Sequence, residues 1–332
     1  MAADEFEIIR TLFAPLADSA GARGLMDDVA VLEADGALVV TTDAIIEGVH
    51  FLSADPLDTV AKKALRVNFS DLIAKGAKPM GLTLALMWPQ HRPASEIADF
   101  ARGLGEDLRF YGAALLGGDT TSTPGPLAVS VTAFGIPFGA RTPSRADARA
   151  GEQLWVTGTI GDGLLGLISL SGTPDVPGAR VQDQVDAHAK AVRAAYQIPA
   201  PPLRFAHAIS AYASASMDVS DGLIGDAQKL AAASAVALRI DAEAVPLSTA
   251  GHAYVEARGQ AALLALLTGG DDYQALFTAP PEARGSIVAA GRATETNVTL
   301  IGEVLAGVGV HVVSGGVELK LAAGGYGHKL GR

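Results

Sequence analysis

Aspartates recur along this chain at the ends of apolar runs, beside Gly, Ser or Thr, in stretches otherwise poor in charge. Asp27 and Asp28 precede Val29-Ala30-Val31-Leu32, Asp43 closes ALVVTTD, and Asp119 closes AALLGGD ahead of Thr120 and Thr121. Asp218 and Asp221 flank Ser220 in MDVSDGL, and Asp271 and Asp272 follow Gly269-Gly270. Asp71 falls inside a helical stretch, after Asn68 and Ser70. Carboxylates on loops at strand ends are where hard-cation sites are built, because Mg2+ takes oxygen ligands and keeps some water. Neighbouring Thr and Ser can add oxygens, and glycines let backbone N–H groups approach phosphates. Each aspartate alone can equally be a helix N-cap or a turn residue. Asp221, followed by Gly222-Leu223 and a helix, is the best N-cap candidate and can serve both purposes.

Hydrophobic periodicity supplies the frame for these acids. Asp4 to Ala17 places Phe6, Ile9, Leu12, Phe13 and Leu16 near helical spacing. Strands are expected at Ala37 to Thr42, Leu82 to Trp88, Ala114 to Leu116 and Leu127 to Phe138, the last two on either side of a Gly/Thr/Pro loop. Helices are expected at Leu57 to Gly76 and Ile97 to Phe110. The polar, periodless stretch RTPSRADARAG, from Arg141, reads as a domain boundary. Beyond it the pattern predicts strands at Gln153 to Thr157 and near 216–219, 236–241, 273–278 and 298–304, with helices near 163–171, 183–196 and 203–213. A length of 332 residues suits two domains. The expectation is an α/β (α+β) chain of two soluble domains, residues 1–146 and 147–332.

Charge and cysteine content narrow the chemistry. Lys and Arg number 25 against 36 Asp and Glu, a net charge of −11, so no basic excess marks a nucleic-acid binder. An acidic chain can still bind a polyphosphate if Mg2+ bridges its carboxylates to phosphate oxygens, and phosphoryl transfer needs mainly positioning and charge neutralisation. Arg141 and Arg145 are the basic residues best placed to touch phosphate, unless they are solvated linker charges. With no cysteine, disulfides, Cys-ligated zinc, iron–sulfur clusters and thiol nucleophiles are excluded. Asp4, Glu5 and Glu7 stand where a signal peptide carries positive charge, and apolar runs such as Ala261 to Leu267 fall short of a membrane span. A cytoplasmic protein without membrane contact is expected.

Familiar phosphate motifs are missing or misleading. There is no G-x-x-x-x-G-K-[ST] and no paired H-R-D and D-F-G. Gly161-Asp162-Gly163-Leu164-Leu165-Gly166 does match G-x-G-x-x-G after a strand. A dinucleotide site also needs a second strand ending in an acid about 20 residues on. Here a Gly/Pro-rich stretch and the helix-like QDQVDAHAKAV follow instead. A tight strand-to-helix turn that needs glycine for close packing is the preferred reading.

The order of the motifs resembles the thiamine-monophosphate kinase family. Met26-Asp27-Asp28-Val29-Ala30, TTDAIIEGVHF (Thr41 to Phe51), KALRVNFSDLIAKGAKP (Lys63 to Pro79) and GGDTT (Gly117 to Thr121) open the series. WVTGTIGDG, MDVSDGL, GGDDY and IGEV (Ile301 to Val304) complete it, so the resemblance spans about Glu5 to Tyr326. It implies a two-domain aminoimidazole-ribotide-synthetase-like fold, with an N-terminal domain that forms a dimeric β-barrel and a C-terminal α+β sandwich. It implies ATP as co-substrate, several Mg2+ ions, a homodimer, and direct transfer of phosphate to thiamine monophosphate. Position by position, Asp28, Thr41, Thr42, Asp43, Asp71, Asp119, Asp218 and Asp221 match metal positions. Gly118, Asp119, Arg145 and Ser220 match ATP contacts, with Tyr111 a looser candidate, and His50, Asp271 and Tyr326 fall at substrate positions. Met26 stands where the family has Gly, and Asp271 where it has the longer Glu. The lack of cysteine argues against two relatives, selenophosphate synthetase and the carbamoyl dehydratase of hydrogenase maturation. An aminoimidazole-ribotide-synthetase-like ligase and a non-catalytic nucleotide-binding regulator are the remaining alternatives.

Overall fold

The computed structural model describes residues 5–25, 36–140, 142–171 and 188–320. Two compact units emerge: Met1–Leu72 with Ala77–Pro137, and Ile73–Gly76 with Phe138–Arg332.

In the first unit the N-terminal helical stretch changes its winding. A short α1 (Glu5–Ile8) passes into a π-helical turn over Ile9–Phe13 and a 3-10 turn over Ala14–Leu16. There follow β1 (Val39–Ile46), α2 (Leu57–Ala74), β2 (Ala77–Pro89), α3 (Ile97–Tyr111), β3 (Ala114–Thr123) and β4 (Ala128–Pro137). The four strands form one sheet in the order β1-β4-β2-β3. The β2–β3 pair is parallel and the other two pairs are antiparallel. Leu82, Leu84 and Leu86 of β2 and Val129, Val131 and Ala133 of β4 are buried, and alternation puts them on one face. Val60, Ala64, Val67, Leu72 and Ile73 of α2 are buried too. Each such Val, Leu or Ile side chain contributes roughly 1.5–3 kcal/mol when fully buried. α2 and α3 approach so closely that a Cβ on Gly103 would collide with the Asp58 backbone. α3 ends at Gly112, φ 64°, with Gly112 N–H bonded to Arg109 O and Ala113 N–H to Leu108 O. That is a Schellman stop, which needs a left-handed residue.

Two strands run further than their apolar cores suggest. β1 continues through Asp43 to Ile46, and β3 continues through GGDTT to Thr123. Asp43 and Asp119 therefore lie within strands, where the sequence places them at strand ends. Both strands are edges of the sheet. One side of an edge strand meets no neighbouring strand, so it tolerates polar residues that end an apolar run.

In the second unit come β5 (Gln153–Thr157), α4 (Asp162–Ser171), α5 (Ala189–Gln197), α6 (Ala206–Tyr212), β6 (Ala215–Val219), α7 (Leu223–Ser234) and β7 (Ala237–Asp241). Then follow α8 (Thr249–Arg258), α9 (Gln260–Thr268), β8 (Gln274–Ala279), α10 (Arg284–Ala293), β9 (Val298–Leu305), β10 (Gly309–Ser314) and β11 (Val317–Glu318). A mixed seven-stranded sheet has the order β11-β10-β7-β9-β5-β8-β6. Leu154, Val156, Met217 and Leu276 pack with Leu223, Ile224 and Leu230 of α7 in one core. Trp155, Ala275 and Phe277 point the other way, to Phe205, Ile209 and Ile287. Both faces are thus covered, which explains strands that read as continuous apolar runs. The first unit is an open sheet among the described residues; no single-chain barrel closes there.

Candidate functional site

In the first unit, alternation along β1 sends Thr41 and Asp43 to one face and Thr42 to the other. Thr41 Oγ1 donates to Asp71 Oδ2 of α2 at 2.6 Å. The outward N–H of Asp43 has no strand to bond, and Asn68 Oδ1 accepts it at 2.8 Å. Asn68 is fixed in turn by its Nδ2 bond to Ala64 O, 2.9 Å. Asn68 and Asp71, three residues apart on the helix, share the face that meets β1. Thr42 Oγ1 instead donates to Val131 O (3.0 Å) and accepts from Thr132 Oγ1 (3.2 Å). Its hydroxyl does not join Thr41, Asp43 and Asp71.

The EGVH turn is held by Glu47 and carries His50. Glu47 N–H donates to Leu127 O (2.9 Å) and its Oε2 accepts Leu127 N–H (3.1 Å). Burial opposes the Glu47 charge, but the Leu127 N–H, Ser53, Arg92 and His91 outweigh it and hold its pKa below the ordinary value. Ile46 N–H donates to His50 Nδ1 at 3.0 Å. The neutral ring must then keep its proton on Nε2, which makes that nitrogen a donor.

Asp119 is exposed on β3 and pairs in register with Ala85, one residue from the buried Leu84. That register gives it the face of Thr42, away from Asp71. At Gly118 a Cβ would run into the Leu84 carbonyl, so the two strands can pair here only through glycine. Tyr111 is a core ring, edge-on to Phe69 and Phe110 at 5.0 Å each, with the Arg66 guanidinium 5.7 Å from its centroid. Burial pushes its hydroxyl pKa upward. The exposed ring of that group is Phe110.

In the second unit three turns interlock. Asp218 lies near the end of β6, paired with Ala275 and buried. The turn after β6 carries Ser220 and Asp221, that before β8 carries Asp271, Asp272 and Tyr273, and the third precedes α4. Asp271 N–H donates to Ser220 O (2.9 Å), and Tyr273 N–H to Val219 O (2.7 Å). A Cβ at Gly270 would meet Ser220 O, one at Gly222 would meet Thr268, and one at Gly163 would meet Asp271 O. Asp221 is not the N-cap. That position is Gly222, φ 99°, with no side-chain bond. Asp226, in the first turn of α7 and fully buried, reaches back to accept Ser220 N–H and Asp221 N–H, both at 2.9 Å. Burial raises the pKa of Asp226, against the pull of Lys229. Lys229 Nζ donates to both Asp221 Oδ2 and Asp226 Oδ1.

G-x-G-x-x-G is occupied from within. The Gly161 N–H lies 2.9 Å from both Asp272 carboxyl oxygens, and the Gly163 N–H lies 3.3 Å from Oδ1. An internal carboxyl group thus takes the place a pyrophosphate would fill at a helix N-terminus. Gly166 lets α4 sit against the Val192 carbonyl of α5. The tight-turn reading of this motif agrees with the packing.

Thr41, Asp43 and Asp71 offer only carboxylate and hydroxyl oxygens, a donor set that suits Mg2+. Among the described residues no three acidic or histidine side chains converge on one cation position. Asp28, Arg141 and Tyr326 lie outside the described residues. Arg145 is exposed, with its carbonyl held by Ser234 Oγ at 2.7 Å. Asn68, Asp226 and Tyr273 are contributors that motif reasoning passed over, and of these Asn68 carried a signal in its three-residue spacing from Asp71. Asp272 stood among the recurring acids, but as a member of that series and not as the partner of Gly161 and Gly163.

Comparison with known proteins gives consistent matches. Family models described as AIR synthase related protein match residues 26–137 (N-terminal domain) and 149–314 (C-terminal domain). The thiamine-monophosphate kinase of Caulobacter vibrioides is 39% identical over 311 residues, covering 92% of this chain and 85% of that one. The crystal structure of thiamine-monophosphate kinase from Stenotrophomonas maltophilia is 35% identical with a TM-score of 0.80, covering 94% and 97% of the two chains. A structure of AaThiL complexed with AMPPCP and TMP is 31% identical with a TM-score of 0.75, covering 98% and 97%. No described helix is long and apolar enough to cross a membrane.

Proposed function

We infer the reaction from one premise: the chain belongs to the thiamine-monophosphate kinases, within the AIR synthase related family. It is an enzyme that transfers the γ-phosphoryl group of ATP to the phosphate of thiamine monophosphate, giving thiamine diphosphate and ADP. The observation that carries this is similarity along 98% of the chain to a relative complexed with AMPPCP and TMP.

We propose that Asp28, Thr41, Thr42, Asp43, Asp71 and Asp119 in the first unit are Mg2+ ligands for more than one ion, and that Asp218 and Asp221 are Mg2+ ligands in the second unit. Bound Mg2+ would neutralise phosphate charge and polarise the transferring group. The chain's own contribution is order. The Thr41 hydroxyl fixes one Asp71 oxygen, and Asn68 pins the strand at Asp43. Gly118, Arg145 and Ser220 are assigned to ATP, and Tyr111 to support of that region through the core. His50 is assigned to the substrate as an Nε2–H donor; Asp271 and Tyr326 are its other contacts. A phosphate monoester has a second pKa of about 6, so the acceptor oxygen is already ionised at neutral pH and no strong base is needed. In-line transfer then depends on placing the two phosphates.

The ATP and dimerisation functions fall, on this reading, to residues 1–146, with 147–332 as the C-terminal domain, in a cytoplasmic homodimer. Support for the dimer is the sheet face opposite α2. Val40, Thr42 and Ala44 are exposed there, and Ser130, Thr132, Phe134 and Met87 are half-buried. A second copy against this face would close a barrel from two open sheets.

The experiment is incubation with ATP, Mg2+ and thiamine monophosphate, followed by chromatography for thiamine diphosphate. Product that vanishes with EDTA is expected. Absence of product with thiamine monophosphate, but turnover of formylglycinamidine ribotide, would establish the ligase reading in its place.

A further inference from the structure

The loop before β8 holds two non-glycine residues in the left-handed region, Asp271 at φ 71° and Tyr273 at φ 52°. For a tyrosine this is a costly conformation, which persists only when its surroundings over-determine it. They do so here. Asp271 N–H and Tyr273 N–H are bonded to Ser220 O and Val219 O. Between them the side chain of Asp272 is buried against Gly161 and Gly163. With the loop braced in this way, Tyr273 Oη donates to Asp271 Oδ1 at 3.0 Å. Tyr273 is itself only 8% exposed, so its hydroxyl is held rather than sampling solvent.

We propose that Tyr273 is a positioning residue for substrate recognition, its hydroxyl fixing the Asp271 carboxylate that receives the thiamine part of thiamine monophosphate, which carries a thiazolium charge and a pyrimidine amine. The inference rests on the kinase reading above and on the assignment of Asp271 to the substrate. A carboxylate held through one oxygen has its plane fixed before the substrate arrives, so less side-chain freedom is lost on binding. The charge and hydrogen-bond donors of thiamine suit a carboxylate, whereas the phosphates of ATP do not. The effect of Tyr273 therefore belongs to one substrate of the two.

Steady-state kinetics of the full chain and of Tyr273→Phe test this, with each substrate varied in turn. The phenylalanine variant keeps the ring and all three backbone and carboxyl anchors, so its thermal midpoint should stay within a few degrees. Its KM for thiamine monophosphate should rise about tenfold, while kcat and the KM for ATP change less than about twofold. In an Asp271→Asn background the same change should add less than about twofold, because Tyr273 acts through that carboxylate. An unchanged KM for thiamine monophosphate, equal effects on both substrates, or full additivity with Asp271→Asn would overturn the proposal. An unsubstituted enzyme that makes no thiamine diphosphate would overturn the kinase reading itself.

Discussion

Asp71 and Asp272 both stand in charge-poor stretches, yet their surroundings differ. Asp71 is half-buried and takes the Thr41 hydroxyl. Asp71→Asn keeps an oxygen for that bond but removes the charge. Turnover should fall by a factor on the order of 10^3 with little change in thermal stability, since carboxylate charge is what holds a hard cation; full activity would refute the ligand assignment. Asp272 is wholly enclosed. Burial, opposed by the Gly161 and Gly163 N–H groups and reinforced by the nearby Asp162 and Asp271, pushes its pKa well above the carboxylate range. Between the unfolded value, about 4, and that raised value, the folded chain binds more protons than the unfolded one. Its stability therefore falls as pH rises through this window. Asp272→Asn has no proton to lose, so its melting temperature should drop less than that of the unsubstituted protein between pH 4 and 8. Parallel melting curves would contradict the burial argument. Nothing in DDY sets Asp272 apart from its neighbour Asp271; what does is its contact with Gly161 and Gly163, which lie 111 and 109 residues away.

Helices and strands were readable to different extents. α2 and α3 follow from their apolar spacing and from the glycines that end them. Their separation does not, because it is set by one glycine, Gly103, against the Asp58 backbone. Gly103→Ala should cost about 1–3 kcal/mol by forcing the helices apart, measurable by denaturant titration. A neutral outcome would mean that α3 can shift without loss. β1 and β3 are longer than their hydrophobic segments because edge strands admit Asp and Thr on the open side. The same property concealed which face each of their acids takes. The Asp221 capping expectation failed for a related reason. Asp226 lies one turn into α7 and reaches back to the Ser220 and Asp221 N–H groups, so the turn ahead of the helix is held from inside the helix rather than by a side chain at its start.

At the scale of the whole molecule, the half-exposed sheet face of the first unit bears on assembly. Val40 is 54% exposed on it. Sedimentation of the protein should give twice the chain mass of 33.8 kDa, and Val40→Glu, which puts charge on the proposed interface, should give the single-chain mass. A monomeric unsubstituted protein would remove the barrel from the proposal. The sequence by itself determined the two-domain order, most helices and strands, the exclusion of cysteine chemistry and the positions of the acids. Those depend on composition and on periodicity within a few residues. Only tertiary structure decided that Thr41 and Asp71 meet while Thr42 turns away, that Asp272 fills the glycine motif, and that Tyr273 braces Asp271. Bonds across 30 to 111 residues, such as Thr41 to Asp71 and Gly161 to Asp272, depend on how elements pack, and local pattern carries no record of that.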